Sequence, residues 1–470
     1  MKTTARAGRL KVTADGKGIA SHAGVELLRE LAVFSGLTDS WDRALIGTYK
    51  AMPLHFPGTV LSDLAVAIAD GADSICDLKR LRDTPAVFGA VASTATAWRV
   101  LDRVDAAHLP LLRAGRANAR AAVWAAGGGP DLDEELCLDI DATLLDAHSE
   151  KELATPTWKK GFGHHPLMCF LDRPDISSGE ALAAILREGR AGSNTTADHI
   201  EVLDQALASL PEQARPTPGV GGGPRLVMRA DAAGATHGFA AACRERGLAF
   251  SFGFPITQDV RDAVMATKPP AWRDAINDDA DYDIRDGAWV TEISKHLDLS
   301  AWPKGSRVFV RREHPHPGAT LSVFDTVEGY RHTAFIIAEA AAPKNSRDRD
   351  RRPIAELELR HRRHARIEDR IRQAKAAGLR RMPCYAAAEN RAWLECVLAA
   401  ADLVAWSKLI CFHDQPDLTY CEIDTYRYRI LHTAARVTRT GRVVNLRFDE
   451  TWTWAKQLAL GFTRLREAFA

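Results

Sequence analysis

Residues 136–145, Leu-Cys-Leu-Asp-Ile-Asp-Ala-Thr-Leu-Leu, constrain the fold of this chain more than any other stretch. Leu136, Leu138, Ile140 and Leu144 point one way and Cys137, Asp139, Asp141 and Thr143 the other, the period of two that marks a β-strand. Two carboxylates therefore share one face of an otherwise apolar strand. A buried carboxylate is unfavourable unless it is paired or ligates a cation, so charge at this place needs a reason.

The segments that follow build a sheet around this strand. Trp158-Lys-Lys-Gly-Phe and residues 165–172 read as hairpin strands, and helical segments are expected at Glu180 to Glu188 and Asp198 to Leu210. A Pro/Gly-rich loop spans 211–224, and Arg225-Leu-Val-Met-Arg-Ala-Asp231 is a strand whose last residue is an acid. A turn at Gly234, a helix from Thr236 to Arg246 and a strand over 248–254 come next. The order predicts a mixed α/β sheet with carboxylates at neighbouring strand ends, where open sheets place their sites.

On either side the pattern changes. Residues 22–126 carry helical periodicity, with helix starts signalled by Ser62-Asp63 after Pro57-Gly58 and by Ser93-Thr94. Short helices joined by turns are compatible with a DNA-binding module, in which Thr94, Thr96, Arg99 and Arg103 would end a recognition helix. They are equally compatible with ordinary helical hairpins. Ala125-Ala-Gly-Gly-Gly-Pro-Asp131 marks a boundary. Between 255 and 339 the strands around Trp289, Arg307 and Tyr330 suggest a mostly β insertion, and a strong amphipathic helix is expected from Asn390 to Trp406. The division this predicts is a helical N-terminal DNA-binding domain (1–126), a first core part (127–254), the β-rich insertion (255–339) and a second core part with basic C-terminal helices (340–470).

Residues 358–378, Glu-Leu-Arg-His-Arg-Arg-His-Ala-Arg-Ile-Glu-Asp-Arg-Ile-Arg-Gln-Ala-Lys-Ala-Ala-Gly, read as a helix stopped at Gly378. At about 100° per residue, His361, His364, Glu368 and Lys375 fall on one arc. Arg362, Arg363, Arg366 and Arg370 form a basic face beside it, and Ile367, Ile371 and Ala374 give an apolar stripe. A lone acid among cations suggests a metal ligand next to a polyanion; a solvated charged helix with incidental ion pairs has the same pattern.

The whole chain is near neutral, with 62 basic and 61 acidic residues. Residues 344–381 are not: 14 Lys or Arg stand against 6 Asp or Glu, the surplus of a phosphate or nucleic-acid footprint. The 8 cysteines are scattered with no Cys-x-x-Cys pair, which points to reduced thiols rather than disulfides or a zinc knuckle. The N-terminus has no apolar segment of secretory type and no run is long enough to span a bilayer, so a cytoplasmic protein is expected.

Asp141, Asp231 and Glu368 thus come from two strand ends and one helix. Three convergent carboxylates can hold two Mg2+ ions, or Mn2+, about 3.5–4 Å apart, and all-oxygen donors disfavour zinc. The residues carrying this pattern resemble the DDE transposases of bacterial insertion sequences, most closely the insertion sequence 1380 family. The matching stretches are Asp139-Ile-Asp-Ala-Thr143, Gly163-His-His-Pro-Leu167, residues 186–195, Arg229-Ala-Asp231, residues 364–375, residues 393–406 and Tyr428-Arg-Ile-Leu-His-Thr-Ala-Ala-Arg436.

The resemblance implies a ribonuclease-H-like catalytic core interrupted by the insertion, with Asp141, Asp231 and Glu368 as the acids in order. It selects Asp141 over Asp139 because the family's acid precedes a small residue and a threonine. Related enzymes carry a Tyr-x2-Arg-x3-Glu-x6-Lys helix motif, whose places are filled here by His361, His364, Glu368 and Lys375. Histidine replaces both tyrosine and arginine, so Arg363 or Arg366 are candidates for the missing positive charge, with Lys375 on a terminal phosphate. The resemblance further implies binding of double-stranded DNA at terminal inverted repeats, cleavage and strand transfer with two Mg2+ ions, double-strand excision with or without a hairpin intermediate, and a homodimeric synapse.

Each residue has a competing reading. Asp231 could cap the following turn, Glu368 could pair with Arg372 or His364, and Trp289 and Trp302 could stack on an extruded base or form local core. His164 and His165 suit backbone contacts better than metal.

Overall fold

The alternating stretch forms strand β1, Leu136–Ala142, and eight further strands join it in a single mixed sheet. In chain order these are β2 (Leu167–Leu171), β3 (Glu180–Ile185), β4 (Leu226–Ala230), β5 (Ala249–Phe254), β6 (Arg273–Ile276), β7 (Ile284–Glu292), β8 (Arg307–Glu313) and β9 (Arg331–Ala338). They lie side by side as β6-β7-β8-β9-β5-β4-β1-β2-β3. β1 runs parallel to β4 and β4 parallel to β5, while every other neighbour is antiparallel. The strands expected around Trp289, Arg307 and Tyr330 are present, and they continue this sheet through the pairing of β9 with β5.

This computed structural model describes residues 12–216, 224–278, 281, 283–339, 352–441 and 443–470. Residues 1–11 of the Gly/Lys/Thr-rich N-terminus, 217–223 of the Pro/Gly-rich loop, 344–351 of the basic segment and Arg442 lie outside the described residues.

Helices cover the sheet. α1 (Glu26–Phe34), α2 (Leu37–Leu45), α3 (Pro57–Ala69), α4 (Thr94–Asp102) and α5 (His108–Val123) precede it. Pro57 opens α3, where its missing N–H costs nothing, and the Ser93 hydroxyl caps α4 by accepting from the Thr96 N–H at 3.2 Å. α6 (Thr196–Ser209) and α7 (His237–Glu245) lie between strands; α8 (Ile354–Arg362), α9 (Arg366–Ala374), α10 (Ala387–Cys411) and α11 (Ala455–Ala468) follow. One continuous apolar core runs from α1 through β1–β5 to α11.

Two sequence expectations are corrected here. Residues 180–185 form strand β3 rather than a helix. Ala-rich composition favours a helix locally, but the segment pairs with β2 and its first residue is locked into a buried ion lattice. Glu180 accepts from Arg120 (3.0 Å), Arg173 (2.6 Å) and the indole nitrogens of Trp124 (3.2 Å) and Trp406 (3.0 Å). Second, α10 is buried on all sides rather than amphipathic. Its apparent polar face is interior: Glu395 meets Arg113 at 2.8 Å, and Asp402 meets Arg116 and Arg120, each at 2.8 Å. Charges spaced like a solvated face serve instead as internal pairs.

All eight cysteines are unpaired, and five of them are buried. Among the described residues no helix is long and apolar enough to cross a membrane.

Candidate active site

Two successive rungs of the β1–β4 ladder carry opposite electrostatics. The parallel register sets Asp139 beside Arg229 and Ile140 beside Ala230, so Asp141 and Asp231 occupy the next position, where the ladder ends. A strand turns the same face every second residue, so both rungs look the same way.

The lower rung is neutralised. Asp139 is fully buried and accepts from Arg229 Nε at 2.8 Å, a second Arg229 nitrogen at 2.7 Å, Arg370 at 2.7 Å and His364 Nδ1 at 2.8 Å. Burial opposes its ionisation, but the charges of Arg229, His364 and Arg370 prevail and hold the carboxyl well below the usual range. Asp172 completes the lattice by accepting from Arg229 at 2.7 Å and from Arg370. With its oxygens taken by four nitrogens, Asp139 has nothing to offer a metal.

The upper rung is not neutralised. Asp141 is partly buried and, among the described residues, accepts the N–H of Ala142 alone, at 2.7 Å. Its pKa is pushed up to about 6, by burial first and then by the negative charge of Asp231, against the Ala142 N–H and His364, with Glu368 adding least. Asp231 and Glu368 are both exposed. Asp231 Oδ1 accepts from the N–H groups of Ala233 (2.9 Å) and Gly234 (3.2 Å), so it caps its turn as well as facing Asp141. Glu368 does not pair with its two candidate cations: Arg372 is engaged by Asp369 and Glu422, and His364 by Asp139. Asp141 thus feels the negative charges of Asp231 and Glu368 together with the attraction of His364 and of Lys375. The chemistry of the three carboxylates, an oxygen-only donor set, fits a hard divalent ion such as Mg2+. The three carboxylates are splayed: among the described residues, the group of His, Cys, Asp or Glu donors that does gather within 4.8 Å is His22, Asp70 and His432.

The helix expected over 358–378 is broken. α8 ends at Arg362, a 3-10 turn spans Arg363–Ala365, α9 follows, and a π-turn at Lys375–Leu379 closes it. Gly378 supplies the stop with φ of 82°. The break carries the chain from the floor of β5 and β9 to that of β1. His361 therefore does not join Glu368 at the site, which corrects its expected phosphate role. Its ring stacks on Phe335 at 4.6 Å, Nδ1 lies 3.0 Å from Ser251 Oγ, and burial pushes its pKa down to about 3, so it is a neutral packing residue.

Lys375 stays at the centre. Its Nζ donates to the Leu144 carbonyl at 3.1 Å, and burial lowers its pKa against the attraction of Asp146 and Asp141. It lines a cleft of about 370 Å³ with Ala142, Thr143, Asp146, Trp158, Lys159 and His165, which opens directly beyond Asp141. Arg363 and Arg366 lie at the rim and both reach Asp278, at 2.7 and 2.9 Å. Trp302 packs on His237 (4.6 Å) and Phe254 (5.9 Å). Trp289 meets His314 (5.6 Å) and Tyr330 (5.8 Å), with Arg312 over its ring at 5.3 Å. Arg99 is exposed on α4, away from these contacts. His164 and His165 bind the carbonyls of Glu152 (3.1 Å) and Ala191 (2.9 Å), as their structural reading expected.

Sequence reasoning missed the lattice under the site. Arg229 in an apolar strand, two residues before Asp231, was its signal: a buried guanidinium requires buried acids. Trp158 and Lys159, taken for strand residues, are cleft residues; nothing in their spacing distinguishes them.

The fold is that of a mixed α/β protein in which Asp141 and Asp231 lie side by side at the ends of two parallel strands. The chain belongs to the DDE transposases: the family model described as "Transposase DDE domain group 1" matches residues 2–470. Membership makes it a protein of DNA transposition with a polynucleotidyl-transferase type of activity. Among solved structures it is similar to the piggyBac transposase in a cryo-EM synaptic complex with hairpin DNA. Identity is 9%, the match covers 90% of this chain and 82% of that one, and the TM-score is 0.40. No curated protein matches the chain.

Proposed function

We propose that this transposase cleaves and joins DNA at Asp141, Asp231 and Glu368, acting at the terminal inverted repeats of a bacterial insertion sequence of the 1380 family. The observation that carries the reading is the unneutralised upper rung: two strand-end carboxylates side by side, joined by a third from α9, above a rung whose charges cancel. The strand order β3-β2-β1-β4-β5, with only the β1–β4 and β4–β5 pairs parallel, supports a ribonuclease-H-like core in which β6–β9 belong to the insertion.

Asp141, Asp231 and Glu368 would hold Mg2+, or Mn2+, as two ions. Such ions activate an attacking hydroxyl and stabilise the leaving oxygen in phosphodiester displacement. Around them the chain's own groups bind and orient DNA. Lys375 grips a backbone phosphate in the cleft beyond Asp141. Arg363 and Arg366 exchange Asp278 for phosphate at the rim. His364, held by Asp139, turns its remaining ring nitrogen toward the carboxylates and takes the place of the family's arginine. Arg99 on α4 contacts the repeat, and Trp289 and Trp302 flank the insertion side of the path. The synaptic complex is a homodimer on two ends and works on nucleoid DNA in the cytoplasm.

The test is cleavage and strand transfer of a labelled terminal repeat in Mg2+. Asp141→Ala, Asp231→Ala and Glu368→Ala should retain end binding and lose nicking. Full Mg2+-dependent cleavage by Asp231→Ala refutes the assignment, and nicking without joining by the unaltered protein reduces the activity to that of a nuclease.

A further inference from the structure

Away from the active site, a segment near the start of the described residues and one from the C-terminal part meet over the end of α3. His22 follows the short strand Ile19–Ala20, His432 precedes the strand Ala435–Thr440, and the two strands pair. Asp70 is the residue that caps α3. His22 Nδ1 lies 2.9 Å from one Asp70 carboxylate oxygen and 3.0 Å from the other, and His432 Nε2 lies 3.1 Å from the carboxylate. The two imidazoles stack with centroids 4.0 Å apart and planes inclined by 17°.

We propose that His22, Asp70 and His432 form a site for a divalent transition-metal ion of the zinc class, which fastens the N-terminal strand and the C-terminal segment to α3. It is separate from the carboxylate centre and independent of the function proposed there.

Four observations carry it. The Asp70 side chain is 1% exposed, and among the described residues its ion pairs are with the two imidazoles, while Arg427 feels its charge from farther off. Arg427, on the same helix end, is spent on the carbonyls of Ile68, Ala69 and Ala376 and on Asp424. By contrast, the buried carboxylates of Asp139, Glu180 and Asp402 each face a guanidinium. Second, metal–ligand bonds of about 2.0–2.1 Å in a tetrahedron set neighbouring ligand atoms roughly 3.3–3.4 Å apart. The oxygen–nitrogen gaps of 2.9 and 3.1 Å must open by a few tenths of an ångström, and the stacked rings must turn out of their near-parallel arrangement, for an ion to replace the bridging protons. Third, the histidine side chains are 37% and 35% exposed, which leaves an entry path and a solvent-facing fourth position. Fourth, His22 adopts φ of 35° and ψ of 34°, a left-handed conformation that side chains other than glycine rarely take and that structures hold at ligand clamps. Two imidazole nitrogens and one oxygen suit zinc, whereas the all-oxygen triad suits Mg2+.

The experiment uses the full chain, stripped by chelator and titrated with Zn2+ at constant millimolar Mg2+, with metal content, melting temperature and the visible bands of a Co2+ substitute as readouts. One equivalent of tightly held Zn2+, a melting temperature raised by several degrees and tetrahedral Co2+ bands are expected. His22→Asn and His432→Gln keep a donor to Asp70, and asparagine tolerates the left-handed backbone, so both should fold. Each should weaken Zn2+ binding at least about tenfold, because three protein ligands are the minimum set of such sites. Asp231→Ala should bind zinc as the unaltered protein does. No retained zinc and no thermal shift would overturn the proposal, as would zinc binding that survives both histidine changes or vanishes in Asp231→Ala.

Discussion

Asp139 and Asp141 sit two residues apart on one strand face, and the structure assigns them opposite energetics. Asp139→Asn keeps the shape but removes the charge that Arg229, Arg370 and His364 share. Leaving buried guanidinium groups short of a counter-charge costs about 3–5 kcal/mol. With an unfolding entropy of roughly 2 cal/mol/K per residue, the 470-residue chain gains about 1 kcal/mol/K, so the melting temperature should fall by about 4 °C. Asp141→Asn does the reverse. A pKa raised to about 6 means that ionising this carboxyl costs more in the folded chain than in the unfolded one, a cost carried in full at neutral pH. The shift corresponds to about 3 kcal/mol before screening, and partial exposure reduces the relief to about 1–2 kcal/mol. In EDTA at pH 7.5, Asp141→Asn should therefore melt slightly higher than the unaltered protein.

The sign follows from linkage. The folded pKa lies above the unfolded one, so the unaltered chain keeps this stability below about pH 4 and loses it as the pH rises through about 6. The advantage of Asp141→Asn should vanish in acid and reappear above pH 6. Mg2+ should stabilise the unaltered protein and not Asp141→Asn, and cleavage should be lost in Asp141→Asn. The assay is calorimetry across pH with and without Mg2+, alongside cleavage of a repeat end. If Asp141→Asn is as unstable as Asp139→Asn, or keeps its Mg2+ response and cleavage, the distinction between the two rungs is wrong.

Other expectations follow from neighbouring parts. Asp402→Ala removes the buried carboxylate that Arg116 and Arg120 share, leaving them Glu395 and Glu180, and should cost about 3 kcal/mol in thermal or denaturant unfolding, whereas an exposed pair such as Arg466–Glu30 should be worth under about 1 kcal/mol. His361 is neutral when folded, with a pKa near 3, but takes a proton below about 6.5 when unfolded. Its stabilising share is therefore present above pH 6.5 and lost as the pH falls toward 3; His361→Phe should be about 2–3 kcal/mol less acid-sensitive between pH 7 and 4.5 by urea titration. A Cβ on Gly253 would lie 2.6 Å from the Ala232 nitrogen, so Gly253→Ala should push the turn after Asp231 and cut cleavage at least about tenfold, a rate measured against unchanged end binding.

The sequence displayed the strands of the sheet because their environment is written locally: alternation in β1 and short apolar runs in β4 and β5. It displayed Asp141 and Asp231 because a carboxylate at the end of such a strand is anomalous. It hid whatever depends on what lies across the fold. Glu180 to Ile185 has helix-forming residues and becomes a strand because Arg120, Arg173 and two tryptophans reach its first residue from distant segments. The polar residues of α10 look solvated until α5 supplies the arginines that bury them. His361 and Glu368 share an arc on a straight helix, and the 3-10 turn between them, which no spacing rule announces, sends one to the core and leaves the other at the surface.

That turn also explains how one helix can be both anchor and reagent. α9 is pinned to β1 by His364 before Glu368 and by Arg370 after it, both on Asp139, while Ile367 and Ile371 are buried beneath. Glu368 is therefore positioned by its neighbours in sequence, which bear the attachment, while it lies exposed on α9. Direct pairing of Glu368 with any of the surrounding arginines would fix it equally well but would also cancel the charge a cation needs. The lower rung draws those arginines away. Arginine rather than lysine at 229 suits this arrangement, because one planar guanidinium bridges Asp139, Asp172 and the Arg360 carbonyl at 2.7–2.9 Å, joining β1, β2 and α8 at one point. Neutralising the first pair of strand residues so completely draws Arg229 and Arg370 away from the second pair, Asp141 and Asp231, on the same face.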